Sequence, residues 1–184
     1  PAVSVVAGDV CDQDAASKVA DTLEHMQGER VLINCAGCAQ FGDFAEADID
    51  REIAMVDVML SGTMRMTRAI LPQMLDQGAG TVVNVLSVSS TTVFAGAAGY
   101  CSAKAGALMF TRVLAKEVRS RGVRVIAVIP GATDTGIWDG MESHPPREDM
   151  LTPGAIAEVI RDAINAPRDR NLDEIAVMPP KGIL

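Results

Sequence analysis

Thr81-Val82-Val83-Asn84-Val85-Leu86, followed by Ser87, is the stretch that decides the fold. It is short, rich in valine and apolar nearly throughout, the pattern of a parallel strand covered by helices on both faces. Val3 to Ala7, Val31 to Asn34 and Val123 to Ile129 have the same character, and Glu174 to Met178 adds a fifth strand at the end. Helical patterns separate them at Asp14 to Met26, Ile49 to Leu75, Ala98 to Arg119 and Pro153 to Ile164. The last has Thr152 as N-cap and Pro153 as its first residue. This alternation predicts an α/β protein with an open, doubly wound parallel sheet and right-handed crossovers, which binds ligands at the carboxyl ends of its strands.

The informative polar residues gather at those ends. Asp9 follows the first strand, Asn34 to Gly37 the second, Ser87 the third and Pro130 to Thr135 the fourth. Each alone reads equally well as loop chemistry, because Asn, Gly, Ser and Pro are the usual turn residues; their shared placement marks a site. Thirteen residues beyond Ser87, Tyr100 and Lys104 stand four apart in Tyr-Cys-Ser-Ala-Lys on a helix. Positions i and i+4 share a helix face, which puts the ammonium beside the phenol. A lone phenol titrates near ~10, whereas a neighbouring cation stabilises the phenolate and lowers that value. Such a tyrosine can protonate a carbonyl oxygen as hydride arrives, or deprotonate an alcohol in reverse. Ser87 can hydrogen-bond the same oxygen. The competing reading of the bare pair is a solvated helix face with a packed ring.

The 184 residues are 48% apolar, 22% charged and 3% aromatic, enough for a single domain, residues 1–184, with a substantial core. Polar residues break every apolar run short of the ~18 that a membrane span needs, and no secretory signal opens the chain. A cytoplasmic setting is therefore expected. A net charge of −8, from 16 basic and 24 acidic residues, argues against nucleic-acid or anionic-membrane partners. Cys35 and Cys38 have the spacing of a redox pair or half a zinc site, but His25 and His144 lack ligand spacing. A thioredoxin-like dithiol needs a helix N-terminus, and here a loop, Ala39 to Gly42, follows. Reduced thiols and no metal site are expected, with thiol-redox chemistry as a minor alternative. Gly136 to Leu151, containing Trp138, His144 and Pro145-Pro146, has no period and reads as a substrate lid, residues 136–151, or a disordered connector.

From the first strand onward these residues resemble the short-chain dehydrogenase/reductase family. Asn34-Cys35-Ala36-Gly37 is similar to its Asn-Asn-Ala-Gly motif, which supports the central sheet and lies along the cofactor. Ser87, Tyr100 and Lys104 match its catalytic residues in order and spacing. Pro130-Gly131-Ala132-Thr133-Asp134-Thr135 resembles its Pro-Gly motif, whose backbone and threonine hold the nicotinamide carboxamide, and Asp9-Val10 resembles the acid that touches the adenine. Leu172 to Pro179 loosely resembles the last strand of members acting on small carbonyls or 3-hydroxy acids. The resemblance implies a Rossmann-like fold and an oxidoreductase using NAD or NADP to interconvert a small-molecule carbonyl and an alcohol. It makes Tyr100 the acid/base and Ser87 the oxyanion partner, and it assigns Lys104 the nicotinamide ribose and a lowered tyrosine pKa. It also implies homodimers or homotetramers through the two long helices, where Gly99, Ala103, Ala105, Gly106 and Ala107 give a small-residue surface beside Met64 and Met66.

Two features depart from that family. Its fold opens with a strand, a glycine-rich turn and a helix whose amides bind pyrophosphate. Here the first thirty residues hold only Gly8 and Gly28, and no Gly-x-x-x-Gly-x-Gly occurs. The resemblance aligns the first strand with the family's third, so two strands and their helices are absent and an unbridged slot is expected in the sheet. Secondly, Met59 in Asp57-Val58-Met59-Leu60-Ser61-Gly62 stands where the family carries an asparagine that holds a water linking the lysine to solvent. A thioether accepts weakly and donates nothing. Either proton relay is impaired or a group such as Ser61 substitutes, and a catalytically impaired binding or assembly protein is the alternative function. Met55, Met59, Met64 and Met66 also read as adaptable helix packing.

Overall fold

The computed structural model describes residues 5–24, 26–139, 141 and 144–184. Strands β1 (Val31–Asn34), β2 (Gly80–Val85), β3 (Val123–Pro130) and β4 (Glu174–Val177) form one parallel sheet in the order β1-β2-β3-β4. Around it lie α1 (Gln13–Glu24), α2 (Ile49–Val56), α3 (Thr63–Gln77), α4 (Ala98–Val118) and α5 (Pro153–Ile164). In register, Val83 sits opposite Ile33 on one side and Ile126 on the other, and Val128 sits opposite Ile175.

Side chains alternate along a strand, so each strand serves two cores. Val82, Val123 and Val125 pack with Ile70 and Met74 of α3 and with Leu114 and Val118 of α4. Val83, Ile126 and Val128 pack with Ile156, Ile160 and Ala163 of α5. Both faces of β2 and β3 are covered, which is why these strands are apolar throughout. Toward the carboxyl end, Leu86, Ala127 and Ile129 close against Ala107 and Leu108, bringing the first half of α4 over the strand ends.

No strand forms at Val5 to Ala7, and Val3 and Ser4, the rest of that expected strand, lie outside the described residues. Apolar β-branched residues do not make a strand without a neighbouring ladder. Val5 is accordingly 87% exposed. Strand β1 lies at the sheet edge with Val31 and Ile33 at 40% and 45% exposure; the expected slot beside it does not arise among the described residues, because no strand forms at Val5 to Ala7 to make its far side.

The helix expected over Ile49 to Leu75 contains a wider π turn, Asp57–Gly62, between α2 and α3. The Asp48 carboxylate caps its start, accepting from the Asp50 N–H at 3.1 Å, and Gly78 at φ 62° ends it. Within the widening, Thr63 Oγ1 donates to the Met59 carbonyl at 2.9 Å. Single π turns of this kind collect at functional sites. The segment expected as a lid holds short 3-10 turns at Gly136–Trp138 and Arg147–Asp149. Arg147 pins it by donating to Asp134 at 2.6 Å, Asp139 at 2.7 Å and the Thr135 carbonyl at 3.1 Å. Gly140, Glu142 and Ser143 of that segment lie outside the described residues. Among the described residues no helix is long and apolar enough to cross a membrane, and no three side chains of metal-ligating type cluster.

Candidate active site

Helix α4 starts after Ala97, which has no side-chain oxygen to cap it. The cap comes from α2. Glu52, 8% exposed, accepts from the Gly99 N–H at 2.6 Å. A Cβ at 99 would lie 2.5 Å from the Glu52 Oε2 and 3.0 Å from the Glu52 carbonyl oxygen, so a larger residue there would push the cap away. A carboxylate at a helix N-terminus satisfies an orphan donor and complements the dipole, so Glu52 fixes the turn that carries Tyr100.

One turn further, Lys104 is 7% exposed; its Nζ donates to the Val85 carbonyl at 3.0 Å and lies 5.8 Å from the Tyr100 ring centroid. Ser87 follows β2 in extended backbone, φ −165°, and its Oγ accepts from the Ser89 N–H at 3.1 Å. The Ser87 hydroxyl also donates to Ser89 Oγ at 3.2 Å, and it lies close enough to the Tyr100 phenol to pull its titration downward. The serine, tyrosine and lysine singled out by spacing therefore do meet.

Their electrostatics correct one expectation. Burial pushes the Tyr100 phenol above its ordinary value; the Ser87 hydroxyl opposes this, while the Cys101 and Cys38 thiols add to it. Burial also lowers Lys104 to about 8, against the upward pull of Cys35 and Cys38. The lysine is not among the groups that lower the tyrosine: its ammonium is turned to the Val85 carbonyl, and desolvation is the largest influence on both side chains. At neutral pH the phenol keeps its proton.

Met59 is 2% exposed and lies in a cluster with Met55, Ala103 and Tyr100. It is packing, as one of the two readings had it. A Cβ on Gly37 would touch its sulfur at 3.6 Å. Asn34 is engaged in a polar chain through the core. Its Nδ2 donates to Thr67 Oγ1 at 3.1 Å and to Asn84 Oδ1 at 2.8 Å, Asn84 Nδ2 donates to Thr111 Oγ1 at 2.8 Å, and that hydroxyl donates to the Ala107 carbonyl at 2.6 Å. The chain ties β1 and β2 to α3 and α4. Thr67, Asn84, Thr111 and Glu52 escaped the sequence reading. A lone amide inside Thr81 to Leu86 and a lone acid on the stripe of Met55 and Met59 were their signals.

The turn after β3 comes close to β4: the Gly131 N–H donates to the Val177 carbonyl at 2.8 Å, and a Cβ there would lie 2.7 Å from Pro179 Cδ. Pro130 is buried at the strand end. Thr133 Oγ1 donates to the Gly131 carbonyl at 3.0 Å, and Thr135 Oγ1 accepts from the Ile137 N–H at 3.4 Å. Trp138 Nε1 donates to the Thr133 carbonyl at 2.9 Å. Phe41, in the loop after β1, lies 5.9 Å from the Tyr100 ring and 6.1 Å from Trp138. Loops from three strand ends thus converge on the tyrosine.

Asp9 and Val10 lie apart from this group. Asp9 Oδ1 accepts from the Cys11 N–H at 2.8 Å, and Val10 packs against Gly62, where a Cβ would meet its Cγ2 at 2.8 Å. Val10, Asn34, Ala36 and Gly62 line a groove of about 110 Å³ along β1. A larger hollow, about 410 Å³ between α1 and α3, contains none of these residues.

Residues 1–145 match the family model described as short chain dehydrogenase. An uncharacterized oxidoreductase of Staphylococcus aureus is 31% identical over 178 residues, covering 96% of this chain and 76% of that protein. A short-chain dehydrogenase from Streptomyces avermitilis superposes with a TM-score of 0.79 at 29% identity, over 95% of this chain and 69% of its own. An alcohol dehydrogenase from the archaeon Thermococcus sibiricus, complexed with 5-hydroxy-NADP, superposes with a TM-score of 0.81 at 27% identity, over 92% and 71%.

Proposed function

Because the chain belongs to the short-chain dehydrogenase family, we propose that it interconverts a small-molecule carbonyl and alcohol with NAD or NADP, through Ser87, Tyr100 and Lys104. The observation that carries this reading is the Tyr100 phenol, largely buried beside Ser87 at the end of β2 and one helical turn from a buried lysine whose Nζ lies 5.8 Å from its ring.

The residues present fit one end of the dinucleotide. Tyr100 and Lys104 would hold the nicotinamide ribose, and the turn from Pro130 through Gly131 and Thr133 to Thr135 would take the carboxamide. The diphosphate has no matching turn in the sequence, and the described helix nearest the Asp9 loop, α1, opens with Asp12 and Asp14, the wrong charge for phosphate. Asp9 and Val10 would serve the adenine end through the groove along β1. When bound, the nicotinamide supplies or accepts the hydride. In reduction, Ser87 donates a hydrogen bond to the carbonyl oxygen and Tyr100 passes its proton to the same atom as negative charge develops there. Lys104, charged below about 8, would hold the nicotinamide ribose and would have to leave the Val85 carbonyl before its charge could support the phenolate left behind. A phenol that keeps its proton suits the carbonyl-reducing direction.

A second reading, a catalytically impaired relative acting through binding, is favoured by Met59, whose buried thioether offers no relay. The proposal also assigns the 136–151 segment as lid and places the protein in a reducing cytoplasm, where Cys11, Cys35, Cys38 and Cys101, all free, stay reduced. Its homo-oligomer would use the two long helices the sequence suggested, where Ala105 and Met64 are exposed. Gly99, Ala103 and Ala107 are spent on contacts inside the chain, and Gly106 packs on Leu60. The outward apolar stripes are Ile49 and Ile53 on α2 and Met109 and Val113 on α4, about half exposed, and these would meet a second copy. Turnover of a ketone panel with NADH and with NADPH tests the function: oxidation of either cofactor supports it, and binding of a cofactor without turnover favours the second reading.

A further inference from the structure

The mouth of this site is aromatic and the loops that carry its rings are acidic in sequence, and proton transfer uses neither property. Phe41 stands edge-on to Tyr100, with centroids 5.9 Å apart and planes at 89°; it lies 6.1 Å from Trp138, which lies 6.4 Å from the His144 ring. The only tyrosine and only tryptophan of the chain, with one of its four phenylalanines, thus meet at one place in a sequence that is 3% aromatic. That concentration sets the wall apart from the aliphatic cores under the sheet.

The wall is held from behind. The Gly42 N–H donates to the Gly96 carbonyl at 2.8 Å, and the two loops are so close there that a Cβ on Gly96 would lie 3.2 Å from the Gly42 oxygen. Gly96, at φ 77°, adopts backbone that glycine favours. Phe41 is thereby fixed beside Tyr100 while keeping 39% of its surface exposed, and the Trp138 indole is anchored on the Thr133 carbonyl. A T-shaped pair leaves ring faces open, and a flat ligand ring can stack or abut them.

Charge narrows the ligand further. Asp43, Glu46, Asp48 and Asp50 follow Phe41, and Asp134, Asp139, Glu148 and Asp149 flank Trp138. The arginines of these loops are committed: Arg51 pairs with Asp48 at 3.5 Å, and Arg147 with Asp134 and Asp139 at 2.6 and 2.7 Å. Asp149 is paired too, with Lys181 at 2.8 Å, so among the described residues Asp43, Glu46, Asp50 and Glu148 are the acids of these loops outside ion pairs, and a carboxylate ligand would meet their net negative charge.

We propose that the substrate is a neutral carbonyl compound bearing a flat apolar ring, seated against Phe41 and Trp138 with its carbonyl at Tyr100, and that polyhydroxylated acid anions are excluded. Placing the carbonyl rests on the oxidoreductase reading; the ring recognition does not.

Saturation-transfer NMR on the chain tests it, with benzylacetone, gluconate and choline as probes. Benzylacetone is expected to take up saturation mainly on its ring protons, and Phe41→Ala and Trp138→Leu each to weaken its binding about 3- to 10-fold. Phe41 is partly exposed on a loop, so its replacement leaves the core intact. Tighter binding of gluconate or choline, binding of none of the three, or benzylacetone affinity unchanged in Phe41→Ala would each overturn the proposal. Benzylacetone bound as expected but never reduced with either cofactor would sink the oxidoreductase reading and leave the recognition standing. Reduction or oxidation confined to sugar acids would do the reverse.

Discussion

Replacing Lys104 by methionine should change how stability depends on pH, by an amount the structure sets. Burial lowers the ammonium from 10.5 to about 8. The folded state therefore carries a desolvation penalty of roughly 3 kcal/mol while both folded and unfolded chains are protonated. That penalty is fully present below about pH 8. Between about 8 and 10.5 the unfolded chain binds the proton that the folded chain has lost, so stability rises with pH, and above 10.5 the penalty is gone. The Lys104→Met variant would carry no such term. Removing the lysine also removes the bond to the Val85 carbonyl, which costs about 1–3 kcal/mol if that oxygen is left unpaired, so the sign of the change at pH 7 rests on two opposed terms. The pH dependence of the difference does not. Urea unfolding of both proteins from pH 7 to 10.5 should show wild type gaining roughly 3 kcal/mol relative to Lys104→Met. Using the difference cancels the opposite trend of Cys11, whose raised value makes the folded state lose stability above pH 9; Cys38, raised by burial but pulled down by Lys104 itself, cancels only in the part due to burial. A difference that stays flat across this range would refute a desolvated Lys104.

Other substitutions probe the scaffold. Glu52→Ala removes the only side-chain cap on α4 among the described residues and should cost about 1–3 kcal/mol in urea unfolding, with turnover falling as Tyr100 shifts; Glu52→Gln should recover most of both. Gly131→Ala drives a methyl toward Pro179 at 2.7 Å and should cost about 1–3 kcal/mol, read as a lowered thermal midpoint. Met59→Asn buries an amide beside Met55 and Ala103, so about 1–3 kcal/mol of stability should be lost while turnover rises and its pH profile broadens toward neutrality. Unchanged turnover there would show that proton relay does not limit the rate.

Local signals carried most of the architecture. Thr152 and Pro153 marked the start of α5, which runs over Pro153–Ile164 as read, and β1 spans Val31–Asn34 as read, because caps, proline and short β-branched runs act within a few residues. Val5 to Ala7 failed because a strand is a property of a pair of segments, and periodicity in one of them says nothing of the other. The π turn at Asp57–Gly62 left no trace in the apolar pattern, since it redistributes helix hydrogen bonds without changing residue type. Of the site, Ser87, Tyr100 and Lys104 were legible from spacing. Their titration was not, because it depends on how deeply the fold buries them. Glu52 reaches Gly99 across 47 positions, a contact that no spacing rule on a single helix reveals.

The central claim is that the Tyr100 proton goes to the substrate carbonyl. Single-turnover reduction of a ketone, followed by loss of the reduced nicotinamide at saturating cofactor, compares wild type with Tyr100→Phe most directly. The account predicts a rate lower by about 10²- to 10⁴-fold with cofactor affinity little changed, because Lys104 and the turn from Pro130 to Thr135 would still hold the nicotinamide end. Near wild-type hydride transfer by Tyr100→Phe would contradict it.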